Sequence, residues 1–219
     1  MLQLLFSSLN VLYVAALVVL TTGSLIFWKN RELNAIRLYL IVNVIHFIAW
    51  RFVPHTDPGS RINKMLFNTN TFLELLTLYY YFWYLAWDQS RRTFLLVGLA
   101  IISIVHIYFW ISPSLGFFTF MPTLYGIQDL FITIPCLLYI YDLFRSEEVT
   151  DLKTNPHFYI ACGFLFFHST TFPFHMTYKK LYNITPEIQQ VLVLVEITLR
   201  LIMYLTILKA FLCPYPEQK

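Results

Sequence analysis

Residues 93–111 read TFLLVGLAIISIVHIYFWI, a run of nineteen residues without a single charged side chain. An α-helix of this length spans about 28 Å at about 1.5 Å per residue, which is close to the ~30 Å hydrocarbon thickness of a bilayer. Arg91 and Arg92 precede the run and Pro113 follows it. Because a backbone in hydrocarbon must satisfy its own hydrogen bonds, the stretch predicts a transmembrane α-helix.

The composition of the whole chain is that of a membrane protein. Of 219 residues, 58% are hydrophobic and 12% are charged, whereas about 25% of residues are charged in soluble domains. The formal net charge is +3 without basic or acidic runs, so the predicted partner is the lipid bilayer and not nucleic acid. Cys136, Cys162 and Cys213 form no CxxC pair and predict neither a disulfide framework nor a thiolate metal site.

Six more apolar runs separated by charges, Pro or Gly predict an all-α polytopic bundle of seven transmembrane helices. We expect residues 1–219 to form a single integral membrane domain without an attached soluble domain. The first run has no Lys or Arg before it and no small-residue cleavage motif, so it is expected to be retained and not removed as a signal peptide. The predicted spans are about 8–28, 33–53, 66–87, 93–111, 120–144, 157–178 and 187–213.

The distribution of basic residues predicts the orientation, because the side with more Lys and Arg usually stays cytoplasmic. Nine lie on the side of the C-terminus and five on the other side, which favours an outside N-terminus and an inside C-terminus. The nine are Lys29, Arg31, Arg37, Arg91, Arg92, Arg145, Lys153, Lys209 and Lys219, and the five are Arg51, Arg61, Lys64, Lys179 and Lys180.

Ionisable side chains inside the predicted spans form a pattern of their own. Each costs at least ~2.5 kcal/mol to insert at the centre of a membrane, so each is a candidate for function. In this orientation six of them lie at similar distances below the outer surface, and we expect them to share one layer. They are His46, Glu74, His106, Asp129, His168 and Glu196.

Five of these six residues have polar neighbours in the sequence. Amides precede two of them by three or four residues, and Arg200 follows Glu196 by four. Pro135 and Pro173 lie within the fifth and sixth spans, where a kink frees backbone carbonyls to line a cavity. We therefore predict a polar ligand pocket that opens toward the outer face. Its predicted lining is Asn43, His46, Asn70, Glu74, Asp129, His168, Glu196 and Arg200.

A purely structural role for this layer stays open. Glu196 and Arg200 can pair on one helix face, because residues four apart are neighbours there. Single intramembrane histidines often only hydrogen-bond a neighbouring helix, and His106 has no polar residue beside it. The layer could therefore hold the helices together without binding a ligand.

Three functions are compatible with the pattern. The first is a membrane sensor or receptor-like signalling component that acts on a separate protein at the cytoplasmic face. The second is a metal-dependent intramembrane hydrolase, with His46, His168, Glu74 and Asp129 as metal ligands, although no HExxH or GxSxG motif is present. The third is a small-solute transporter. No cofactor is predicted, and the sequence favours a binding role while leaving enzymatic activity open.

Three features resemble a group of seven-helix membrane proteins of Bacteroidetes that has no established activity. They are Asn70 and Glu74, the 155–160 stretch NPHFYI at the start of the sixth span, and the 208–213 stretch LKAFLC. The likeness covers nearly the whole chain and implies a multi-pass protein of the bacterial inner membrane. His46 and His168-Ser169 depart from that pattern, so their roles cannot be carried over from it.

Overall fold

The computed structural model describes residues 2–27, 33–53, 59–112, 116–146, 151–182 and 186–213, with side chains for 11–25, 33–53, 61–112, 116–146, 151–178, 188 and 190–213. Within these ranges the chain is all-helical and contains seven helices, which confirms the predicted all-α class and the number of helices. The helices are α1 (Leu2–Phe27), α2 (Asn34–Phe52), α3 (Gly59–Leu85), α4 (Gln89–Ile111), α5 (Pro122–Arg145), α6 (Pro156–Tyr182) and α7 (Pro186–Phe211).

Several helices begin earlier than the apolar runs that predicted them. α3 begins at Gly59 and not near residue 66, because its polar first turns can stay helical outside an apolar layer. α4 begins at Gln89 and not at Thr93, because the Asp88 carboxylate accepts a hydrogen bond from the Arg91 backbone N–H at 2.6 Å and caps the helix. α6 continues to Tyr182, beyond its predicted end near residue 178.

Four of the described helical segments are long and apolar enough to cross a membrane: Asn34–Phe52, Gln89–Ile111, Pro122–Arg145 and Gln190–Phe211. α1 contains a shorter apolar segment, Val11–Leu25. α3 and α6 are each 27 residues long, but they carry many polar side chains. Glu74 and Asn70 of α3 and His168 of α6 are all buried.

Six helices close into a ring and the seventh lies outside it. In the described part of the chain, α1 packs on α2, α2 on α3, α3 on α5, α5 on α6, α6 on α7, and α7 returns to α1. α4 packs mainly on α3 and α5, and its buried residues are Leu95, Ile102 and His106. α4, which contains the most apolar of the four candidate spans, is therefore peripheral. Polar residues of the other helices can meet inside the ring.

Two glycines allow α6 to approach its neighbours closely. A Cβ atom at Gly163 would overlap Thr206 Oγ1 of α7, and one at Gly126 of α5 would lie 2.8 Å from Met176 Sδ of α6. Gly126 precedes Asp129 by one turn, and Met176 follows His175 directly. The close α5–α6 contact thus brings the acid of one helix to the histidines of the other.

Candidate functional site

Asp129 of α5 binds two histidines of α6 at once. Its Oδ1 lies 2.7 Å from His168 Nδ1, and its Oδ2 lies 2.7 Å from His175 Nδ1. The two histidines are seven residues apart, which places them on one helix face two turns apart. Asp129 is 4% exposed and His168 is also 4% exposed, so their contact is buried, whereas the His175 side chain is 11% exposed.

The bridge determines which ring nitrogens carry protons. An ionised carboxylate only accepts hydrogen bonds, so Nδ1 of both His168 and His175 must donate to Asp129. A neutral imidazole with a proton on Nδ1 has a free lone pair on Nε2. His168 Nε2 is buried and has no hydrogen-bond partner among the described residues. In its neutral form, with the proton on Nδ1, His168 therefore offers an oriented, unfilled hydrogen-bond acceptor.

Arg200 of α7 joins two carboxylates. Its Nη2 lies 3.2 Å from Glu196 Oε1 on the same helix, and its Nη1 lies 3.7 Å from Glu74 Oε1 of α3. The guanidinium carbon lies 4.9 Å from the centre of the Phe167 ring, a distance typical of a cation–π contact. The predicted Glu196–Arg200 pair is thus present, and it extends to a third helix.

Two asparagines complete the surroundings of Glu74. Asn70 Nδ2 donates to Glu74 Oε1 at 3.2 Å, and Asn43 of α2 lies beside this carboxylate while its amide nitrogen donates to the Tyr39 carbonyl at 2.9 Å. Because the carboxylate only accepts, the Asn70 amide nitrogen must face it and the amide oxygen must point away. Asn70 Oδ1 is buried and has no hydrogen-bond partner in the described structure. It is a second unfilled acceptor.

The Asp129–histidine bridge lies near Arg200 and its two carboxylates. His168 interacts electrostatically with Glu74, and His175 interacts electrostatically with Glu196 and Arg200. We name the combined group the interior polar cluster. It draws on α2, α3, α5, α6 and α7 and consists of Asn43, Asn70, Glu74, Asp129, His168, His175, Glu196 and Arg200.

Seven of the eight residues predicted for the pocket belong to this cluster, and His46 does not. The half-buried His46 ring meets the Phe67 ring edge-on at 6.0 Å between centroids, next to the Leu66 backbone. Its ring is held against the start of α3 and forms no ion pair with the described members of the cluster. The structure therefore does not join His46 to the other seven residues by an ion pair, and its place in a ligand pocket stays a prediction.

His106 forms a separate link between helices. Its Nε2 lies 3.1 Å from Gln128 Oε1, and Gln128 Nε2 donates to the Thr71 carbonyl at 2.8 Å. This chain connects α4 to α5 and α3. His106 thus has the helix-linking contacts of the structural alternative, apart from the interior polar cluster.

The sequence analysis did not find His175. The predicted end of the sixth span near residue 178 leaves His175 in the last turn of that span, whereas α6 continues to Tyr182. The spacing of seven residues from His168 was the available signal, because it puts both rings on one helix face. The early start of α3 also changes the position of Glu74 along its helix. Glu74 lies near the middle of α3 and not in its outer third.

Among the described residues, no three His, Cys, Asp or Glu side chains are grouped as a metal site requires. The alternative assignment of His46, His168, Glu74 and Asp129 to one metal ion therefore has no geometric support. Both oxygens of Asp129 are already hydrogen-bonded to histidines. His46 lies against Phe67 instead.

No family model, curated protein or solved structure matches this chain. The function must therefore be argued from the interior polar cluster itself. Three carboxylates, Glu74, Asp129 and Glu196, surround one guanidinium and two imidazoles there. The described acceptors that remain open, Asn70 Oδ1 and His168 Nε2, call for a molecule that donates hydrogen bonds.

Proposed function

We propose that the chain is an integral, multi-pass membrane protein with seven spans, an outside N-terminus and an inside C-terminus. Four segments are long and apolar enough to span by themselves. α1, α3 and α6 have 26, 27 and 27 residues, and ring closure packs them beside the apolar helices. The excess of basic residues supports the orientation, and the resemblance to proteins of Bacteroidetes supports a bacterial inner membrane.

A reporter fused to the C-terminus tests this topology. We expect a reporter that works only in the cytoplasm to be active at the C-terminus. A reporter that works only outside the cytoplasm should be active when it is fused to the stretch between α6 and α7. The reverse result would invert the orientation. An identical result at both positions would contradict a membrane crossing by α7.

We propose further that the protein is a sensor or receptor-like signalling component and that the interior polar cluster is its ligand site. The observation that carries this proposal is the pair of buried, unfilled acceptors, Asn70 Oδ1 and His168 Nε2, within reach of Glu74. A cluster that only held helices together would satisfy its own polar atoms, because an unpaired buried acceptor costs about 1–3 kcal/mol.

The chemistry of the site favours a cationic ligand. Its open groups accept hydrogen bonds, and its three carboxylates outnumber the one permanent cation, Arg200. A small organic ammonium would donate hydrogen bonds to these acceptors and balance the charge. A carboxylate ligand would meet acceptors and like charges, which is unfavourable in a site of low dielectric.

A ligand in this position would act on several helices at once. Asp129 and His168 lie on α5 and α6, which contain Pro135 and Pro173, and proline inside a helix weakens its hydrogen-bond ladder. A change at the cluster can therefore alter the bend of both helices. Their far ends would carry the change to a separate signalling protein at the cytoplasmic face.

Ligand-dependent thermal stability tests the sensor proposal. Purified protein in nanodiscs would be heated with a panel of small primary amines and with a matched panel of small carboxylates. We expect one or more amines to raise the Tm of the wild type and of Asp142→Asn, which removes a carboxylate outside the cluster. The same amines should leave the Tm of Asp129→Asn unchanged. Equal effects on both variants, or stabilisation by carboxylates alone, would contradict the proposed site.

Access to the cluster provides a second test. Single cysteines at Asn43, Glu74, Asp129 and His168, in a background without the native cysteines, would be exposed to a membrane-impermeant thiol reagent. Labelling at two or more of these positions is expected, with protection by the stabilising amine. Four unreactive positions would favour a purely structural cluster.

Two further measurements on the purified protein separate the sensor from the transporter and the hydrolase. Uptake of the stabilising amine into proteoliposomes would favour the small-solute transporter. A stoichiometric metal that is lost on replacement of His168 would favour the hydrolase, in spite of the ligand geometry. Binding without flux or metal is the result expected for a sensor.

A further inference from the structure

A second region with unfilled polar groups lies on the outside of the ring, where α4 packs against α3. An apolar groove of about 240 Å³ runs between these two helices, slightly below the range of about 300–1,000 Å³ typical of enclosed small-molecule sites. Because α4 lies outside the ring, the groove faces the surroundings and not the interior. Its lining is Leu76, Tyr79, Tyr80, Trp83, Leu95, Leu96 and Leu99.

A wider and more open cleft adjoins the groove at Trp83, where α3 ends and α4 begins. Trp83, Tyr84, Leu85 and Arg92 line it. The guanidinium carbon of Arg92 lies 5.5 Å from the centre of the Trp83 ring, in cation–π contact. Groove and cleft thus form one continuous surface, apolar along the helices and cationic at their end.

The cleft contains two hydrogen-bond donors without acceptors. Trp83 Nε1 and Arg92 Nε are both buried and have no hydrogen-bond partner among the described residues. Arg92 has no carboxylate partner there either, whereas the adjacent Arg91 pairs with Asp142 at 3.0 Å. Buried N–H groups are normally paired, so two open donors beside an unpaired charge indicate a site for an anion.

We propose that this surface binds an anionic phospholipid, with an acyl chain in the α3–α4 groove and the phosphate against Arg92 and Trp83. Tryptophan and arginine at a helix end lie at the depth of lipid headgroups. A guanidinium binds phosphate oxygens through charge-assisted hydrogen bonds. In the proposed orientation the lipid belongs to the cytoplasmic leaflet, where anionic headgroups attract basic side chains.

The inference rests on the proposed membrane topology but not on the sensor role. The lipid site lies on α3 and α4, while the interior polar cluster has no member on α4. Loss of lipid preference would leave amine binding and the position of the C-terminal reporter unaffected. The two proposals can therefore fail separately.

Native mass spectrometry of the full-length protein tests the proposal, with equimolar phosphatidylglycerol and phosphatidylcholine added in detergent. We expect phosphatidylglycerol adducts to dominate in the wild type. Arg92→Gln should reduce that preference about fivefold, since one basic residue near anionic lipid contributes ~1 kcal/mol. Arg145→Gln removes an exposed arginine at the end of α5 and should retain the preference.

A second pair of variants keeps every charge in place and serves if Arg92→Gln does not fold. Trp83→Phe removes the open N–H of the cleft, and Trp110→Phe removes another buried, unpartnered indole N–H at the opposite end of α4. No described cation lies over the Trp110 ring. We expect Trp83→Phe to weaken the preference and Trp110→Phe to leave it intact.

Three outcomes would overturn the proposal. The first is equal binding of both lipids by the wild type. The second is an equal effect within each pair, Arg92→Gln with Arg145→Gln or Trp83→Phe with Trp110→Phe. The third concerns the source of the phosphate: stabilisation against heating by inorganic phosphate alone, and not by phosphatidylglycerol, would identify a free anion as the ligand.

Discussion

α4 and α6 show what hydrophobicity and polarity each contribute to this molecule. α4 is the helix whose sequence most clearly indicates a membrane span, yet it lies outside the ring and buries few side chains. α6 falls short of the apolar criterion over its described length, but it packs between α5 and α7 and carries both histidines of the cluster. The apolar helix indicates the class of protein, and the polar helix carries the candidate function.

The difference follows from what each helix contacts. A helix that faces lipid gains nothing from polar side chains and loses free energy for each one it exposes. A helix inside the ring meets polar partners from its neighbours, so it can carry His168 and His175 when Asp129 satisfies both. Substitutions inside the ring should accordingly cost much more than substitutions on its outer surface.

The largest effect is expected from Arg200→Met. The change leaves Glu74 and Glu196 without their cation, and removal of one partner of a buried ion pair costs about 3–5 kcal/mol. Unfolding in mixed micelles would measure the loss of free energy, with Arg145→Met at the exposed end of α5 as a control expected to cost under about 0.5 kcal/mol. Adding Glu74→Gln to Arg200→Met should recover part of the loss. If Arg200→Met and Arg145→Met lose the same free energy of unfolding, the interior polar cluster contributes nothing to stability.

Asp129→Ala should be next in size. The histidines on α6 would keep buried N–H groups without an acceptor, and each unpaired donor costs about 1–3 kcal/mol. We expect a loss of about 3 kcal/mol, measured by the same unfolding assay. Asp142→Ala removes a less buried acid, whose partner Arg91 remains near water, and it should cost about 1 kcal/mol or less. An Asp129→Ala protein as stable as Asp142→Ala would show that the histidine bridge is not formed.

Gly163→Ala compares close packing inside the ring with that at its outer surface. The new Cβ would overlap Thr206 Oγ1, and such overpacking costs about 1–3 kcal/mol. Gly98→Ala on α4 places its Cβ 3.3 Å from Tyr79 Oη, where a small shift of that side chain relieves the contact. We expect Gly98→Ala to be near neutral, because alanine also favours the helix by up to about 1 kcal/mol. Addition of Thr206→Ala should rescue Gly163→Ala in part.

The smallest effect is expected on the outer face of α4. Ile104 is 66% exposed, whereas Ile102, two residues earlier, is fully buried. Ile104→Ala should change the free energy of unfolding by less than about 0.5 kcal/mol, and Ile102→Ala should cost about 2 kcal/mol or more. Similar values for both would mean that α4 has a further partner on its outer face.

Much of the fold followed from the chain alone, but helix ends did not. Apolar runs predicted the number and order of the helices, because hydrophobic length is a local property. Polar first turns, such as those of α3 from Gly59 onward, carry no hydrophobic signal although they remain helical. His175 was missed for the same reason. It lies in the last turn before the predicted end near residue 178, whereas α6 continues to Tyr182.

The candidate site was predicted in its members but not in its pairing. Depth along the helices selected Glu74, Asp129, His168, Glu196 and Arg200, which the structure brings into contact in two groups. It also selected His46, because depth alone does not state which way a side chain points. His46 turns toward Phe67, and His106 toward Gln128.

The sequence by itself determined the helical class, the approximate positions of the helices and the buried charges, because each depends on the transfer of a short segment or one side chain into an apolar environment. Only the tertiary structure decided which charges meet: that Asp129 joins two histidines, that Arg200 joins Glu74 to Glu196, and that α4 stays outside the ring. Those contacts depend on the rotation and order of helices around the ring, and hydrophobic length carries no information about either.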